Sequence, residues 1–364
     1  MTARAVAIML AILCGIALLL PAPRYVPTQN NAQEVARAQQ YIEDHWVPLP
    51  ESWLWGRHPF EGGELRWGEA RQAETPRGTL IVVPGFRGYT EAYAPWINEW
   101  YAAGFDVVAV DLPGQGLSTR RADNPEKPWT GDFSLYGDIL SEFIRARVPD
   151  AREPVTLVGE SFGGHVALRA VAEQDLPIER LALIVPGLEF NTRDTPKELM
   201  HRFTAAATTL GFGHRYAPTQ NVWVPEWDVA PEDAVCALRE ERAYLQEALF
   251  TLQPDYRVGG LTNEWANGFE RSGLDLVESE LLSDADLPVL MVMAGQDRVI
   301  VNDRNYTACN ERLPDCQYIE IKNSGHCMLF EEDEVVTPMI EGVIAFADKQ
   351  ASPPRSNTGQ SDAE

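Results

Sequence analysis

Six short apolar runs, separated by stretches with helical spacing, constrain the fold of this chain more than any other feature. Most of the runs are rich in Val, Ile and Leu, and all are too short for a helix, which is typical of strands buried on both faces. Apolar strands that alternate with helices predict an α/β fold with a mostly parallel central sheet and helices on both faces. The predicted strands are Thr79–Val83, Phe105–Val110, Val155–Val158, Leu181–Val185, Val289–Met293 and Gln317–Ile321.

Two further elements border the first of these strands. An aromatic, alternating stretch from Trp53 to Trp67 predicts edge strands ahead of it. After it, apolar residues such as Trp96 and Trp100 recur at helical spacing until Gly104, which predicts a helix that ends at this glycine.

The alternation breaks between Phe190 and Leu287, where several helices are predicted, one of them within Ala234–Leu252. The stretch is too long for an ordinary connection and follows a strand, so it predicts a helical cap inserted over the carboxyl edge of the sheet. Its aromatic residues can line an acyl-chain slot or form the cap's own small core, and the sequence leaves both interpretations open. They are Trp223, Trp227, Phe250, Trp265 and Phe269.

The N-terminus differs from the rest of the chain. Arg4 precedes an apolar run, Ala5–Leu20, that predicts either a cleaved signal peptide or an uncleaved membrane anchor. Both interpretations place the body outside the cytoplasm, exported, periplasmic or membrane-anchored. The predicted organisation is a signal or anchor at 1–23, a linker with a short helix at 24–50, the core at 51–190 plus 288–348, the cap at 191–287 and a disordered tail at 349–364.

The overall charge excludes one class of partner. The formal net charge is -24 and the isoelectric point is about 4.6, so the surface repels phosphate backbones and nucleic-acid binding is not expected. A surface of this kind keeps a globular protein in solution.

Four cysteines follow the N-terminal run, and an exported chain can oxidise them. Cys309 and Cys316 are close enough in sequence to pair, but spacing alone does not decide it. Cys236 and Cys327 are the other two, and no C-x-x-C spacing typical of a metal site is present.

The segment LVGESFGG, residues 157–164, predicts a nucleophile. A strand precedes it and a helix follows, so Ser161 lies at a tight turn that pushes its hydroxyl into the crevice. Gly159 and Gly163 remove side chains that would clash there, and the helix N-terminus offers free amide groups. We predict that Ser161 is the nucleophile.

The base must come from one of six histidines. His326 follows the last predicted strand, at the same edge of the sheet as Ser161, and is predicted to be the general base. His165 lies one helical turn beyond Ser161 and is predicted to pack or cap. The others are His45 and His58, which precede the sheet, and His201 and His214, which lie in the predicted cap.

The acid should orient the histidine and stabilise its charged form. Asp297 follows the strand Val289–Met293 and precedes His326 in the chain, so it is the predicted acid. Asp303 is a rival that the pattern places in the next helix. Asp111 also ends a strand, but it begins the stretch DLPGQG, which is typical of a tight structural loop.

Attack on a carbonyl creates an oxyanion that needs two N–H donors. The first predicted donor is the amide of Phe162, directly after the nucleophile. The second is the amide of Phe86, in the loop after the first long strand, where Gly85 allows close approach. The alternative is that this loop is only a turn.

These elements in this order resemble the serine hydrolases of the α/β-hydrolase superfamily. Within it the chain looks most like the lysophospholipase and monoacylglycerol lipase branch, also described as serine aminopeptidase-like. It departs from that branch at Glu160, where the branch usually has a histidine before the nucleophile. The stretches that carry the resemblance are 84–93, 104–118, 159–164, 294–297 and 324–326.

The resemblance implies an α/β-hydrolase fold and hydrolysis of a lipid ester. Ser161 would attack the acyl group, His326 would transfer the proton, Asp297 would hold the imidazole, and water would clear the acyl-enzyme. It implies a small-molecule lipid or ester substrate and no metal or cofactor, and the N-terminal run adds membrane association as an expectation. Aminopeptidase-like and thioester hydrolysis stay open as alternatives. So does, from a different class, a non-catalytic binding member of the fold.

Overall fold

A computed structural model describes residues 24–148, 151, 153–193, 195–227, 236–237 and 240–348. The predicted signal or anchor, at 1–23, and the predicted disordered tail, at 349–364, lie outside these residues. Among the residues described, no helix has both the length and the apolar character that crossing a bilayer requires.

Within this part of the chain, eight strands form one sheet in the order β1-β2-β4-β3-β5-β6-β7-β8. β1 and β2 form the predicted edge strands as an antiparallel hairpin, β2 pairs antiparallel with β4, and the other neighbours are parallel. All six strands predicted for the parallel part of the sheet are confirmed, with ends shifted by at most two residues. The strands are β1 Leu54–Phe60, β2 Gly63–Ala70, β3 Thr79–Val83, β4 Asp106–Val110, β5 Val155–Glu160, β6 Arg180–Ile184, β7 Val289–Ala294 and β8 Cys316–Ile321.

The α-helices described fall between and beyond these strands. The predicted helix that ends near Gly104 is confirmed as α2. Three helices, α5 to α7, lie between β6 and β7, inside the stretch predicted to be the cap. The helices are α1 Ala32–His45, α2 Ala94–Ala102, α3 Phe133–Arg147, α4 Ser161–Glu173, α5 Lys197–Ala207, α6 Glu240–Leu252, α7 Asn263–Glu278, α8 Asp303–Thr307 and α9 Asp333–Ala347.

The strands β3, β4, β5 and β7 are buried at every position because both faces of the sheet are covered. In β3, Ile81 and Val83 belong to a core that includes side chains of α3 and α4. Leu80 and Val82, which alternate with them, belong to a second core that includes side chains of α2 and α9. Alternate residues of a strand point to opposite faces, so a strand between two helical layers has no solvent-facing side.

The predicted linker, residues 24–50, is anchored to the body. Its helix α1 begins at an Asn31 cap, where Asn31 and Glu34 each accept the other's backbone amide. Tyr25 donates a hydrogen bond to Glu126, and Asn30 donates one to the carbonyl of Thr251 at the end of α6. The segment therefore packs against two separate parts of the chain, at Glu126 and at Thr251, instead of forming a free connection.

The parallel strands set the position of the site. The carboxyl ends of β3, β5, β7 and β8 meet at one edge of the sheet, and the segments that follow them carry Phe86, Ser161, Asp297 and His326 respectively. Ligands of open α/β sheets bind at this edge.

Candidate active site

Ser161 lies at the sharp turn between β5 and α4. The strand ends at Glu160 and the helix begins at Ser161, with no residue between them. Ser161 has a φ of 49°, a left-handed conformation that is strained for a residue with a Cβ. A Cβ on Gly159 would lie 2.7 Å from the carbonyl oxygen of Gly163, and one on Gly163 would clash with the carbonyl of Val83. The two glycines therefore allow the close approach that the sequence pattern predicts.

The structure brings the three predicted side chains into one hydrogen-bonded line. Ser161 Oγ lies 2.7 Å from His326 Nε2, and His326 Nδ1 lies 2.7 Å from Asp297 Oδ2. The tautomer with the proton on Nδ1 satisfies both contacts: Ser161 donates to Nε2, and Nδ1–H donates to the carboxylate. The side chains of His326 and Asp297 are almost completely buried. This is the arrangement that activates a serine hydroxyl.

Backbone amides hold the carboxylate of Asp297. Its Oδ1 accepts hydrogen bonds from the amides of Val299 and Ile300, both at 2.8 Å, which leaves Oδ2 for the histidine. Both carboxylate oxygens therefore have hydrogen-bond partners, and the fixed carboxylate orients the imidazole of His326.

The carboxylate also sets the proton affinity of the base. Burial lowers the pKa of His326, but the charge of Asp297 and its hydrogen bond outweigh burial, and the pKa is raised above the ordinary 6.5. A raised pKa makes the neutral imidazole a better proton acceptor.

The other residues considered for the base and the acid lie outside this hydrogen-bonded group. His165 Nδ1 donates to the carbonyl of Gly187, its Nε2 accepts from Ser272, and burial lowers its pKa to about 4, so the prediction that it packs is confirmed. Asp303 begins α8, as predicted. Asp111 is fully buried and pairs with Arg66 at 2.6 Å, which is a structural contact.

The loop after β3 forms a tight turn against the nucleophile. The amide of Gly88 donates to the carbonyl of Gly85 at 2.9 Å, and Arg87 has a φ of 64°. A Cβ on Gly85 would lie 3.2 Å from Ser161 Cβ, so this turn lies beside the serine. Phe162 is the second residue of α4, where an amide has no partner within the helix. The structure thus places both predicted oxyanion donors, Phe86 and Phe162, in segments next to Ser161.

Glu160 differs from the residue that the related branch usually has, and its position explains how an acid fits there. It is buried, and its Oε2 accepts a hydrogen bond of 2.8 Å from the hydroxyl of Tyr93. Burial raises its pKa. The side chain therefore turns toward the loop after β3. Sequence reasoning singled out Glu160 but did not find this partner, because no local pattern joins residues 93 and 160.

A cavity of about 190 Å³ reaches Ser161 and His326. Most of its lining is apolar, and five aromatic rings form a connected wall, in which Phe190 stacks on Phe269 at 4.0 Å and Phe269 on Trp265 at 5.5 Å. The five rings belong to Phe86, Phe162, Phe190, Trp265 and Phe269. The apolar, aromatic lining of this cavity suits an apolar chain.

The predicted cap aromatics follow the two interpretations only in part: some line the cavity, but others pack into the core on one face of the sheet and not into a core of the cap's own. Trp265 and Phe269, both on α7, line the cavity. Trp223 and Phe250 are buried in the core and contact each other at 6.1 Å. Trp227 packs on Tyr244, 5.5 Å away. Sequence reasoning did not single out Phe190 as a lining residue.

Two disulfides connect the four cysteines. Cys309 pairs with Cys316, the pair that spacing allowed, and Cys236 pairs with Cys327. The second bond ties the stretch predicted to be the cap to the residue directly after His326, and the amide of Cys327 donates to the carbonyl of Cys236 at 2.7 Å. Sequence reasoning missed this pair. The sequence did contain one indication of it: if Cys309 pairs with Cys316, two of the four cysteines remain and can pair with each other.

The fold and the site together define an α/β-hydrolase with a serine nucleophile. The chain belongs to the family described as serine aminopeptidase, S33, whose model matches residues 74–333. The resemblance and the fold class predicted from the sequence are confirmed.

Individual relatives agree with this placement. Lysophospholipase L2 of Escherichia coli is 23% identical over 282 residues, which are 75% of this chain and 81% of that protein. A monoglyceride lipase structure from Saccharomyces cerevisiae is 14% identical, covers 84% of this chain and 97% of its own, and has a TM-score of 0.63. A carboxyl esterase structure from Bacillus coagulans is 17% identical, with 82% and 98% covered and a TM-score of 0.62. These structural likenesses show the same fold.

Proposed function

We propose that this chain hydrolyses carboxylic esters of single-chain acyl lipids, of the lysophospholipase or monoacylglycerol type, through an acyl-enzyme on Ser161. The observation that carries the proposal is the opening of the Ser161–His326–Asp297 line into an aromatic, apolar cavity. Relatives named as lysophospholipases and monoglyceride lipases support the same substrate class.

The reaction follows from the geometry. His326 accepts the proton of Ser161 as the serine oxygen forms a bond to the acyl carbon, and Asp297 stabilises the imidazolium that results. The Phe86 and Phe162 amides stabilise the oxyanion. His326 then returns the proton to the departing alcohol. In the second half a water molecule attacks the acyl carbon while His326 accepts its proton. His326 then returns the proton to Ser161 Oγ as the bond between the acyl carbon and Oγ breaks, and the fatty acid leaves.

The family description raises aminopeptidase activity as the second candidate. Such an enzyme needs a carboxylate near the nucleophile to hold the substrate's ammonium group. Glu160 is the one carboxylic side chain among the described residues that line the cavity, and Tyr93 already donates to it. This engagement favours an ester over an amino-terminal peptide. Thioester hydrolysis uses the same groups and is tested with the same panel.

The positive charge of Arg87 would favour the headgroup of a lysophospholipid over that of a monoacylglycerol. Arg87 lines the cavity directly after the oxyanion residue Phe86, and its ion pair with Glu247 is 3.3 Å long. A guanidinium offers several N–H donors, so a phosphodiester can bind it while the pair with Glu247 persists. A monoacylglycerol has no such group. Among single-chain lipids we therefore propose a preference for lysophospholipids.

The test is a hydrolysis panel on the purified protein with Ser161→Ala as the control. It compares p-nitrophenyl esters of increasing chain length, a monoacylglycerol, a lysophosphatidylcholine with the same acyl chain, an acyl thioester and an amino-acid arylamide. We expect turnover of the lipid esters that rises with chain length and is absent in the variant. If only the arylamide is hydrolysed, the protein is a peptidase and not an esterase. Absence of turnover and of fluorophosphonate labelling would favour a binding role.

A further inference from the structure

Buried groups hold the peptide unit that joins Gly85 to Phe86. The carbonyl oxygen of Gly85 accepts hydrogen bonds from Gln115 Nε2 at 2.8 Å and from the amide of Gly88 at 2.9 Å. Gln115 is only 2% exposed. No cis peptide bond occurs among the described residues, so the N–H of Phe86 points away from this carbonyl. Gln115 thus determines the direction in which the predicted oxyanion donor points.

The other end of Gly85 is held in a similar way. Its amide donates to the hydroxyl of Tyr93 at 2.9 Å, and that hydroxyl donates to Glu160 Oε2 at 2.8 Å. Tyr93 and Glu160 are both buried, and a Cβ on Gly85 would clash with the Glu160 carboxylate. The carboxylate polarises the tyrosine hydroxyl and strengthens its capacity to accept the Gly85 amide.

The turn needs such support because its conformation is unfavourable. Arg87, its third residue, has a φ of 64°, where residues other than glycine are strained. A strained turn persists only where its surroundings determine it. Here buried side chains hold both the carbonyl and the amide of Gly85.

We propose that Gln115, Tyr93 and Glu160 are positioning residues that hold the Phe86 N–H in the direction of the oxyanion. The proposal rests on acyl transfer at Ser161, as set out above. It explains two sequence features that the triad leaves without a role: the glutamine of DLPGQG and the acid before the nucleophile. A donor that is already oriented costs no reorganisation when negative charge develops on the carbonyl oxygen.

The expected signature is a loss in kcat with little change in KM. The donor acts on the charge of the transition state, whereas the apolar cavity binds the ground state. Replacing Gln115 with Met keeps the length of the side chain and removes the N–H donor. Replacing Tyr93 with Phe removes both hydrogen bonds of the hydroxyl. Glu160→Gln keeps an oxygen that accepts from Tyr93 and serves as the conservative variant.

The experiment compares an oxygen ester with the matching thionoester, whose C=S sulfur is a weak hydrogen-bond acceptor and gains little from the donor. We expect Gln115→Met and Tyr93→Phe each to lower kcat for the oxygen ester by about 10- to 100-fold. The loss for the thionoester should be smaller, so the ester-to-thionoester ratio falls. Glu160→Gln keeps an acceptor for Tyr93 but loses the polarising charge, so its ratio should lie between those of the wild type and Tyr93→Phe. Rates are normalised to the active sites titrated with a fluorophosphonate.

An unchanged ratio in both Gln115→Met and Tyr93→Phe would overturn the proposal, because a general packing defect lowers both rates equally. Gln115→Glu, which keeps the side-chain shape and replaces the donor with an acceptor, is a second variant should the methionine fail to fold. The rate of fluorophosphonate labelling reports the same donor whatever the natural substrate is. A wild-type protein that labels rapidly but hydrolyses no lipid ester would reject the proposed substrate and leave this test intact.

Discussion

At the scale of single residues, the site depends on the hydrogen bonds that each polar atom of Asp297 and His326 makes. One carboxylate oxygen of Asp297 accepts hydrogen bonds from two backbone amides, and the other accepts one from His326. One nitrogen of the His326 imidazole is hydrogen-bonded to Asp297 and the other to Ser161. Loss of one member therefore changes the orientation or the charge of the next, and the three act as a unit.

We expect Asp297→Asn to lower kcat by about 10³- to 10⁴-fold, the effect of the same change in other serine triads. The asparagine keeps the hydrogen-bonding shape but removes the charge that raises the pKa of His326. The measurement is kcat/KM for a p-nitrophenyl ester across pH, with Asp303→Asn as the matched control.

The direction of the pH dependence follows from the same pKa. Catalysis needs neutral His326, so wild-type activity should fall as the pH drops through a pKa above 6.5. In Asp297→Asn the residual activity should fall at a lower pH, because burial lowers the pKa of His326 and the largest opposing charge is absent, although the smaller effect of Glu160 remains. An acid limb that stays in place in this variant would mean that another group is the base.

At the scale of secondary-structure elements, the loop after β4 is held by a buried ion cluster. Asp111 is fully buried, pairs with Arg66 of β2, and accepts hydrogen bonds from the amides of Thr90 and Leu117. Arg66 also pairs with Glu91 at 2.6 Å. One carboxylate thus joins β2, the segment at Thr90 and the loop after β4.

We expect Asp111→Ala to lower the free energy of unfolding by about 3 kcal/mol, because it leaves a buried arginine with one partner fewer. The measurement is equilibrium denaturation by urea. Asp138→Asn on the exposed surface of α3 is the control, with an expected change within about 0.5 kcal/mol. A loss for Asp111→Ala no larger than that of the control would show that Glu91 alone satisfies Arg66.

The two disulfides should contribute unequally to stability. The Cys236–Cys327 bond closes 91 residues of sequence and the Cys309–Cys316 bond only 7. The chain-entropy model then gives a loss of about 4 to 5 kcal/mol when both residues of the long loop become serine and about 2 kcal/mol for the short loop.

Each paired replacement is the control for the other in urea denaturation. The long-loop variant should also lose activity, since Cys327 follows His326 directly and the bond restrains the loop that carries it. Equal losses of stability for the two variants would contradict the loop-length argument.

At the scale of the whole molecule, we propose that the catalytic body lies outside the cytoplasm. The N-terminal run Ala5–Leu20 supports the proposal, and so do the two disulfides, which persist mainly in oxidising compartments. The same run predicts association with a membrane.

Rapid acid quenching of cells of the source organism, followed by thiol alkylation, tests the compartment. We expect the four cysteines from Cys236 onward to resist alkylation until a reductant is added, and the protein to fractionate outside the cytoplasm. Complete alkylation of active enzyme without a reductant would contradict the proposal.

Local patterns predicted much of the fold and the site. The strand alternation, the tight turn at Ser161 and the position of each partner after a strand predicted the sheet and the three side chains that the structure aligns. Such inferences succeed because strand direction in a parallel sheet brings the carboxyl ends to one edge. They required only spacing and residue type.

Tertiary structure decided the rest. The contact of Glu160 with Tyr93, the role of Gln115 at Gly85, the bond between Cys236 and Cys327 and the division of the cap aromatics all join residues from separate elements. No periodicity encodes such contacts, because they depend on how helices and loops pack over the sheet. The chain by itself thus determined which residues can do the chemistry, and packing decided which groups hold them in place and what the cavity admits.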